Sequence, residues 1–463
     1  MLIVFTTIWP VGSVLAQTSE PSGPVYIVQS GDTLLDIAQR FGVSQADLAS
    51  ANGISKPNQL TEGEKLIIPG LDGIQGSLVT KTLAYGESLR GLSRRYGIPE
   101  SLLARLNHLS SPGQLYAAYN LVVPSESNPR ISEDRVGLAQ GQSLLELAIL
   151  QNRNPWDFVT ANDLNGIVSA IPGDILLLPG EQAVGPSALP GIVSAVEISP
   201  LPLLQGKVSV IRIKARDGLA FTGSLMGHEL HFFRDTDGSY VALQGIHALA
   251  EPGMFPLDLS VILENGTQFN FSQWVNVQAL NYPYDRPLTV DPTTIDPAVT
   301  RPEDAQWSAL TSPVTPEKYW SGKFRLPSSL PLDYCLETGN CWTSRFGNRR
   351  SYNGSPYNAF HTGLDIAGGV GTHILAPAAG VVVFTGFLIV RGNATVIDHG
   401  WGVYSCYMHQ SEFDVNVGDH VEAGQLIGKV GGTGRVEGPH LHWEIWAGGV
   451  QVEPMDWLEN SYP

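Results

Sequence analysis

The chain has 463 residues, 43% of them hydrophobic and 15% charged, with 50 Gly and 32 Pro, so it exceeds one core and reads as three or more turn- and strand-rich units. Its 44 acidic against 27 basic residues give a net charge of −17, which excludes a nucleic-acid partner because polyphosphate requires a basic face. Carbohydrate, bound mostly without charge, stays open.

Residues 2–16 are almost wholly apolar and end in Val14-Leu15-Ala16, a small-residue cleavage pattern, before the polar Gln17-Thr18-Ser19-Glu20. The run is shorter than the roughly 20 residues a bilayer span requires. A signal peptide is therefore expected over 1–16, with the mature chain secreted or in the cell envelope, periplasmic or wall-associated. No other stretch reads as a membrane span.

A tandem repeat follows over 26–180. Gly31-Asp32-Thr33-Leu34, Gly86-Glu87-Ser88-Leu89 and Gly141-Gln142-Ser143-Leu144 recur at a spacing of 55, in step with Asn52, Asn107 and Asn162 and with Pro69, Pro124 and Pro179. In the first copy Val25–Val28 reads as a strand and Thr33 with Asp36 as a capping-box-like start for a helix to Phe41. Gly42 stops that helix. Ser44 and Asp47 open a second one through Ala51, Asn52-Gly53 ends it, and Leu66-Ile67-Ile68 returns as a strand.

With Y-x-V-x-x-G-D-T-L and L-x-x-x-N-G-I in place, this unit resembles the LysM carbohydrate-binding module. The resemblance implies βααβ modules at 25–70, 77–125 and 132–180 and a groove for N-acetylglucosamine-containing glycans, peptidoglycan above all. Carried over by position, the groove involves Gly31, Asp32, Thr33, Asn52 and Ile54, with Gly86, Ser88 and Asn107 in the second copy. The third copy diverges, with Gln142 for the acid, Asn152-Arg153-Asn154-Pro155 at the helix stop and Asp163 after the asparagine. One at a time, these Gly and Asn residues equally serve as helix caps and turns.

Residues 190–282 change to period two. Ile211-Arg212-Ile213-Lys214 alternates, and Asp237-Gly238 and Asn265-Gly266 read as tight hairpin turns. A small Ig-like β-sandwich is expected. Residues 283–319, with Asp-Pro and Arg-Pro breaks, read as a linker. Cys335 and Cys341 flank the turn-like Leu-Glu-Thr-Gly-Asn, short enough for a disulfide in an exported protein. Cys406 is left over.

Residues 320–463 are strand-rich without a long helical period: Gly380–Phe384, Ala394–Asp398, Val403–His409, Gly424–Val430 and Leu441–Trp446 read as strands of a compact antiparallel domain. Within it His361-x-x-x-Asp365 is answered 75 residues later by His440-Leu441-His442. Two imidazoles and one carboxylate are a set that holds a catalytic Zn²⁺ and leaves a fourth position for water. His440 and His442 project to one side of their strand, so one ligates while the other stands over substrate. Gly363 relaxes the backbone so that His361 and Asp365 converge, and His409 is placed to face the same cavity.

Four motifs stand in order: S-x-F-G-x-R (Ser344, Phe346, Gly347, Arg349), H-x-G-x-D (His361, Gly363, Asp365), I-D-H-G-x-G-x-Y-S-x-Y-x-H, and G-x-T-G-x-x-x-G-P-H-L-H ending at His442. Across 320–463 the chain resembles the lysostaphin/LytM-type zinc endopeptidases, and the sandwich resembles the accessory domain preceding some of them. The resemblance implies one Zn²⁺ per chain held by His361, Asp365 and His442, with His409 and His440 as the catalytic pair. It also implies cleavage of peptide crosslinks or stem peptides of peptidoglycan. Some relatives place a tyrosine six residues before the first ligand. Ser355 stands there, so no tyrosine is assigned to the carbonyl.

The remaining candidates read as structural. His399 belongs to an Asp-His-Gly turn, and His373 and His420 to the surface. His228-Glu229-Leu230-His231 lacks the four-residue spacing of a metal helix. Cys406, three residues from His409, is expected by strand parity to point its sulfur away from the zinc. The whole reads as a multidomain, mainly β, exported zinc endopeptidase anchored to glycan, the alternative being a catalytically inactive wall-binding activator of another murein hydrolase.

Overall fold

The computed structural model describes residues 23–463 except 57–59, 72–73, 75, 97, 112–113, 126–132, 163, 165, 183–188, 190–191, 264–265 and 267. The expected signal peptide over 1–16, Asp163 and Asn265 lie outside the described residues. Two compact units are formed, one by the described residues within 1–81, 96–111 and 120–130, the other by those within 82–95, 112–119 and 131–463.

In the first unit, Thr33 caps the helix Leu34–Phe41 by accepting from the Asp36 N–H, and Gly42 closes it in the left-handed region at φ 65. Leu34, Ile37, Ala38 and Phe41 are buried, the i, i+3, i+4, i+7 stripe of an amphipathic helix. The second helix spans Gln45–Ala51. Asn52 then uses its whole amide on backbone: Nδ2 donates to Leu48 O and Ile67 O, and Oδ1 accepts from Ile67 N at 2.6 Å. Asn107 repeats the clamp on Leu103 O and both backbone groups of Val122. The strands form one sheet in the order Lys65–Ile67, Val25–Ile27, Ser77–Thr82, Asn120–Pro124, with Val25 lying parallel to Ser77.

In the second unit, Asn162 clamps Phe158 O and Leu177 in the same way. It ties the helix Pro155–Ala161, which follows the helix Leu144–Leu150, to the strand Ile175–Gln182, itself antiparallel to Glu133–Gly137. The next segment is a two-sheet sandwich. One sheet runs His228–His231, Ala220–Leu225, Gly253–Ile262, Gln268–Gln278, Leu203–Leu204, and the other Phe233–Arg234, Tyr240–Gly245, Val208–Ala215, Val193–Ser199. Ile211, Ile213 and Ala242 of one sheet share a core with Leu257, Leu259 and Val275 of the other. Tyr85 is buried in that core, and Gly86 N donates to Gln273 Oε1.

The stretch 283–319 is more than a linker. The Asp-Pro pairs that read as breaks start helices: Asp291 caps the 3-10 turn Pro292–Ile295, and Asp296 caps the helix Pro297–Thr311, each with proline at the first turn. Trp307 of that helix is fully buried.

The C-terminal sheet runs Trp342–Ser344, Leu364–Ala367, His440–Ala447, Val403–Phe413, Gly392–Gly400, Gly380–Leu388, His420–Val421, antiparallel in every described pairing. Leu364, Ile366, Tyr407, Leu441, Trp443 and Ile445 pack into the main core on one face. Tyr404, Cys406, Met408 and Trp446 pack under Trp307 on the other. Cys335 belongs to a helix, Leu332–Thr338, rather than a loop, and its sulfur is joined to Cys341 at 2.09 Å. Among the described residues no helix is long and apolar enough to cross a membrane.

Candidate metal centre and cleft

Two neighbouring strands bring the key side chains together. Leu364–Ala367 pairs antiparallel with His440–Ala447 so that Asp365 lies opposite His442, and His361 enters four residues earlier. A Cβ on Gly363 would lie 2.8 Å from His442 Nε2 and 2.4 Å from Trp443 O. Glycine is required there for close approach. Its φ is not among the positive ones, so the expected relaxation of the backbone is not its role.

His361 Nε2, His442 Nδ1 and Asp365 Oδ1 converge, at 2.9, 2.9 and 2.8 Å from one another. Hydrogen-bond partners assign the ring tautomers. His361 Nδ1 donates to Arg345 O at 2.9 Å, which leaves Nε2 bare. His442 is turned the other way: Nε2 faces Glu444 Oε1 at 3.2 Å, which leaves Nδ1 bare. Asp365 Oδ2 is held by Arg350 at 3.3 Å, leaving Oδ1 for the meeting point. With neutral rings, three lone pairs point at one spot with no hydrogen between them. That arrangement is stable only around a positive charge, and two imidazoles with a carboxylate suit a divalent cation of the zinc type.

The electrostatics show the same demand for positive charge at this spot. Burial opposes charge on Asp365, but the adjoining His361 and His442 hold its carboxyl well below the usual range. Burial also opposes charge on His442, yet the Asp365 and Glu444 carboxylates raise it to about 9. Burial lowers His361, and Asp365 offsets this only in part.

The other two histidines keep the Nδ1-pinned tautomer. His409 Nδ1 bonds Thr433 O and His440 Nδ1 bonds Gly438 O, both at 2.8 Å. Their rings are 5.1 Å apart, and His440 Nε2 is 3.5 Å from Asp365 Oδ1. Burial, followed by the nearby His440 and His442, lowers His409 to about 3, so it is a neutral acceptor at working pH. Its backbone is left-handed at φ 63. That kink breaks the strand alternation and overturns the parity argument for Cys406. Cys406 stands opposite Glu444, and Met408 opposite His442. The thiol therefore lies on the site's own face of the sheet, with burial and then Glu444 raising it well above its ordinary value. His409 reaches the site only through its kink.

These groups line an open cleft of about 1390 Å³ that also includes His247 of the sandwich, Arg286, Trp307 and Tyr352. Glu444 escaped notice in the sequence. It accepts from Thr362 Oγ1 (2.6 Å), Trp446 Nε1 (2.8 Å), Trp307 Nε1 (3.3 Å) and Gln451 Nε2 (3.3 Å). Its strand parity with His440 and His442 was the available signal. His399 is buried between Ala379 O and Ser405 Oγ, both at 2.7 Å, while His373 and His420 are exposed.

In the first repeat Asp32 accepts from Tyr26 and Arg40, and Asn52 is committed to the backbone. A Cβ on Gly31 would meet nothing within 4 Å, Thr33 serves as the helix cap, and Ile54 is half-buried.

Residues 359–454 match the model of peptidase family M23, and 26–69 and 82–124 match the LysM domain. The chain is 41% identical over 113 residues to peptidoglycan DD-endopeptidase ShyA of Vibrio cholerae, covering 24% of this chain and 26% of that protein. It is 45% identical over 95 residues to DD-carboxypeptidase/endopeptidase Mpg of Neisseria meningitidis, covering 20% and 22%. A solved putative peptidase M23 from Pseudomonas aeruginosa is 27% identical over 56% of this chain and 94% of its own, with TM-score 0.42. The chain thus spans about a quarter of the length of the curated relatives it matches.

Proposed function

We propose that this chain, which carries a lysostaphin/LytM-type M23 peptidase domain and two LysM domains, is a zinc-dependent endopeptidase acting on the peptides of peptidoglycan. The observation that carries the reading is the convergence of three bare donor atoms from His361, Asp365 and His442 within 2.8–2.9 Å. Zn²⁺ there would supply Lewis acidity and lower the pKa of water to about 7. The protein's own groups do the rest. His409 and His440 present bare Nε2 atoms beside the cleft, where one takes a proton from water and returns it to the leaving amine. Glu444 holds His442 in the tautomer that frees Nδ1, and Arg350 occupies Asp365 Oδ2 so that Oδ1 would be the oxygen offered to the ion.

The LysM domains hold the enzyme near its substrate, raising its effective concentration. In the first module the glycan contact falls on the Gly31–Thr33 loop and Ile54, with Asp32 and Asn52 supporting it from within the fold. The Cys335–Cys341 bond accords with an oxidising, extracytoplasmic setting.

Digestion of purified sacculi with mass spectrometry of the released fragments tests the reading, together with metal analysis. Release is expected to stop on chelation, to return with Zn²⁺, and to be lost in His442→Ala while glycan binding persists. Release by His442→Ala at the parental rate would sink the ligand assignment. Metal-free protein that binds sacculi without cutting them would leave the wall-binding activator.

A further inference from the structure

We infer that the helix Pro297–Thr311, outside the region matching the peptidase family, belongs to the catalytic machinery: Glu303 positions His409, and Trp307 positions His442. The inference rests on the zinc-endopeptidase reading above and adds two positioning residues to it.

The first arm begins at a buried carboxylate. Glu303 is 6% exposed and accepts from Val390 N (2.9 Å), Arg391 N (3.1 Å) and Arg391 Nη1 (2.9 Å). It thereby fixes the turn between the strands Gly380–Leu388 and Gly392–Gly400. From that turn the Arg391 carbonyl accepts from His409 N at 3.0 Å. His409 needs such an anchor, because a non-glycine residue holds a left-handed backbone only where its surroundings impose it. Released, the strand would regain its alternation and turn the ring out of the cleft.

The second arm is Trp307. Its Nε1 donates to Glu444 Oε2 at 3.3 Å, while the other oxygen of that carboxylate accepts from His442 Nε2. The Arg391 guanidinium lies 4.8 Å above the Trp307 ring and joins the two arms. A helix needed only as a cover would present an apolar residue at position 303, since burying a carboxylate carries a desolvation cost.

The test uses the full chain loaded with Zn²⁺, a soluble crosslinked peptidoglycan fragment as substrate, and chelator competition for metal affinity. Glu303→Gln is expected to lower kcat about ten- to a hundredfold, as misplacement of a reacting group does, with KM and zinc affinity within about twofold. Trp307→Phe is expected to weaken zinc binding by about tenfold, the low end for outer-shell partners, and to shift the visible spectrum of the Co²⁺-substituted protein.

Wild-type values for both variants would overturn the inference. So would an equal loss in kcat, KM and metal affinity accompanied by a lowered Tm, which marks a packing element. Should Glu303→Gln lack a cooperative melt, Glu303→Asp, which keeps the charge and withdraws it by one methylene, takes its place. A parent chain without metal-dependent cleavage sinks the underlying function; an active parent with indistinguishable variants sinks only this inference.

Discussion

Each of the four histidines around the cleft has one nitrogen committed to a protein acceptor and the other left bare. His442 differs in that its committed nitrogen faces a carboxylate, Glu444, rather than a carbonyl. Burial disfavours charge there, but His442 and Arg391 hold Glu444 down to about 2. Glu444→Gln is therefore expected to weaken zinc binding about 10–100-fold with little change in fold; chelator competition measures it, and a loss below twofold would show that the carboxylate does not set the tautomer. The candidate trio was legible as the spaced motifs His361-x-x-x-Asp365 and His440-Leu441-His442, whose meeting depends on the pairing of Asp365 with His442 that the sequence does not reveal. His409 was legible only as a motif residue. Its entry depends on a left-handed kink, which alternation cannot foresee, and the same kink misdirected the placement of Cys406.

At the level of elements, the asparagine at each repeat's second helix end is a bolt between helix and returning strand. Ala at Asn52 would orphan Ile67 N and O, at a cost of about 1–3 kcal/mol for an unsatisfied buried group. Faster hydrogen exchange at Ile67 and a lower unfolding midpoint are the expected signs, with the same direction at Asn107 and Asn162. The repeat helices could be read from caps and apolar spacing, since both are local. The connector helix could not: its hydrophobic face is narrow, and what stabilises it, Trp307 against Met408 and Trp446, lies more than a hundred residues away in sequence. Read locally, the Asp-Pro pairs signal interruption, although each is an N-cap followed by proline.

Across the molecule, the sandwich and the peptidase domain share buried surface. Val208, Val241 and Leu243 of the sandwich enter the main core of the C-terminal sheet, and Phe233 stacks on Trp401 at 5.2 Å. Lys207 pairs with Asp456 at 2.8 Å, and Glu453 N donates to Gly206 O. Burial raises the Glu453 carboxyl from 4.5 to about 7. Between those values the folded form keeps a proton that the unfolded chain has lost, so this group's contribution to stability falls as pH rises through that window. Urea unfolding at pH 5 and pH 8 should show the parent losing more stability at the higher pH than Glu453→Gln does; equal slopes would refute the assignment. This interface had no sequence signal, because neither domain's strand pattern reveals which outward residues meet another domain.

Of the three cysteines, two are spent on each other and the third, Cys406, is sealed beneath the connector helix. A maleimide dye can reach that sulfur only if the helix lifts from the sheet. Labelling rate thus becomes a built-in gauge of detachment, readable with no substrate present.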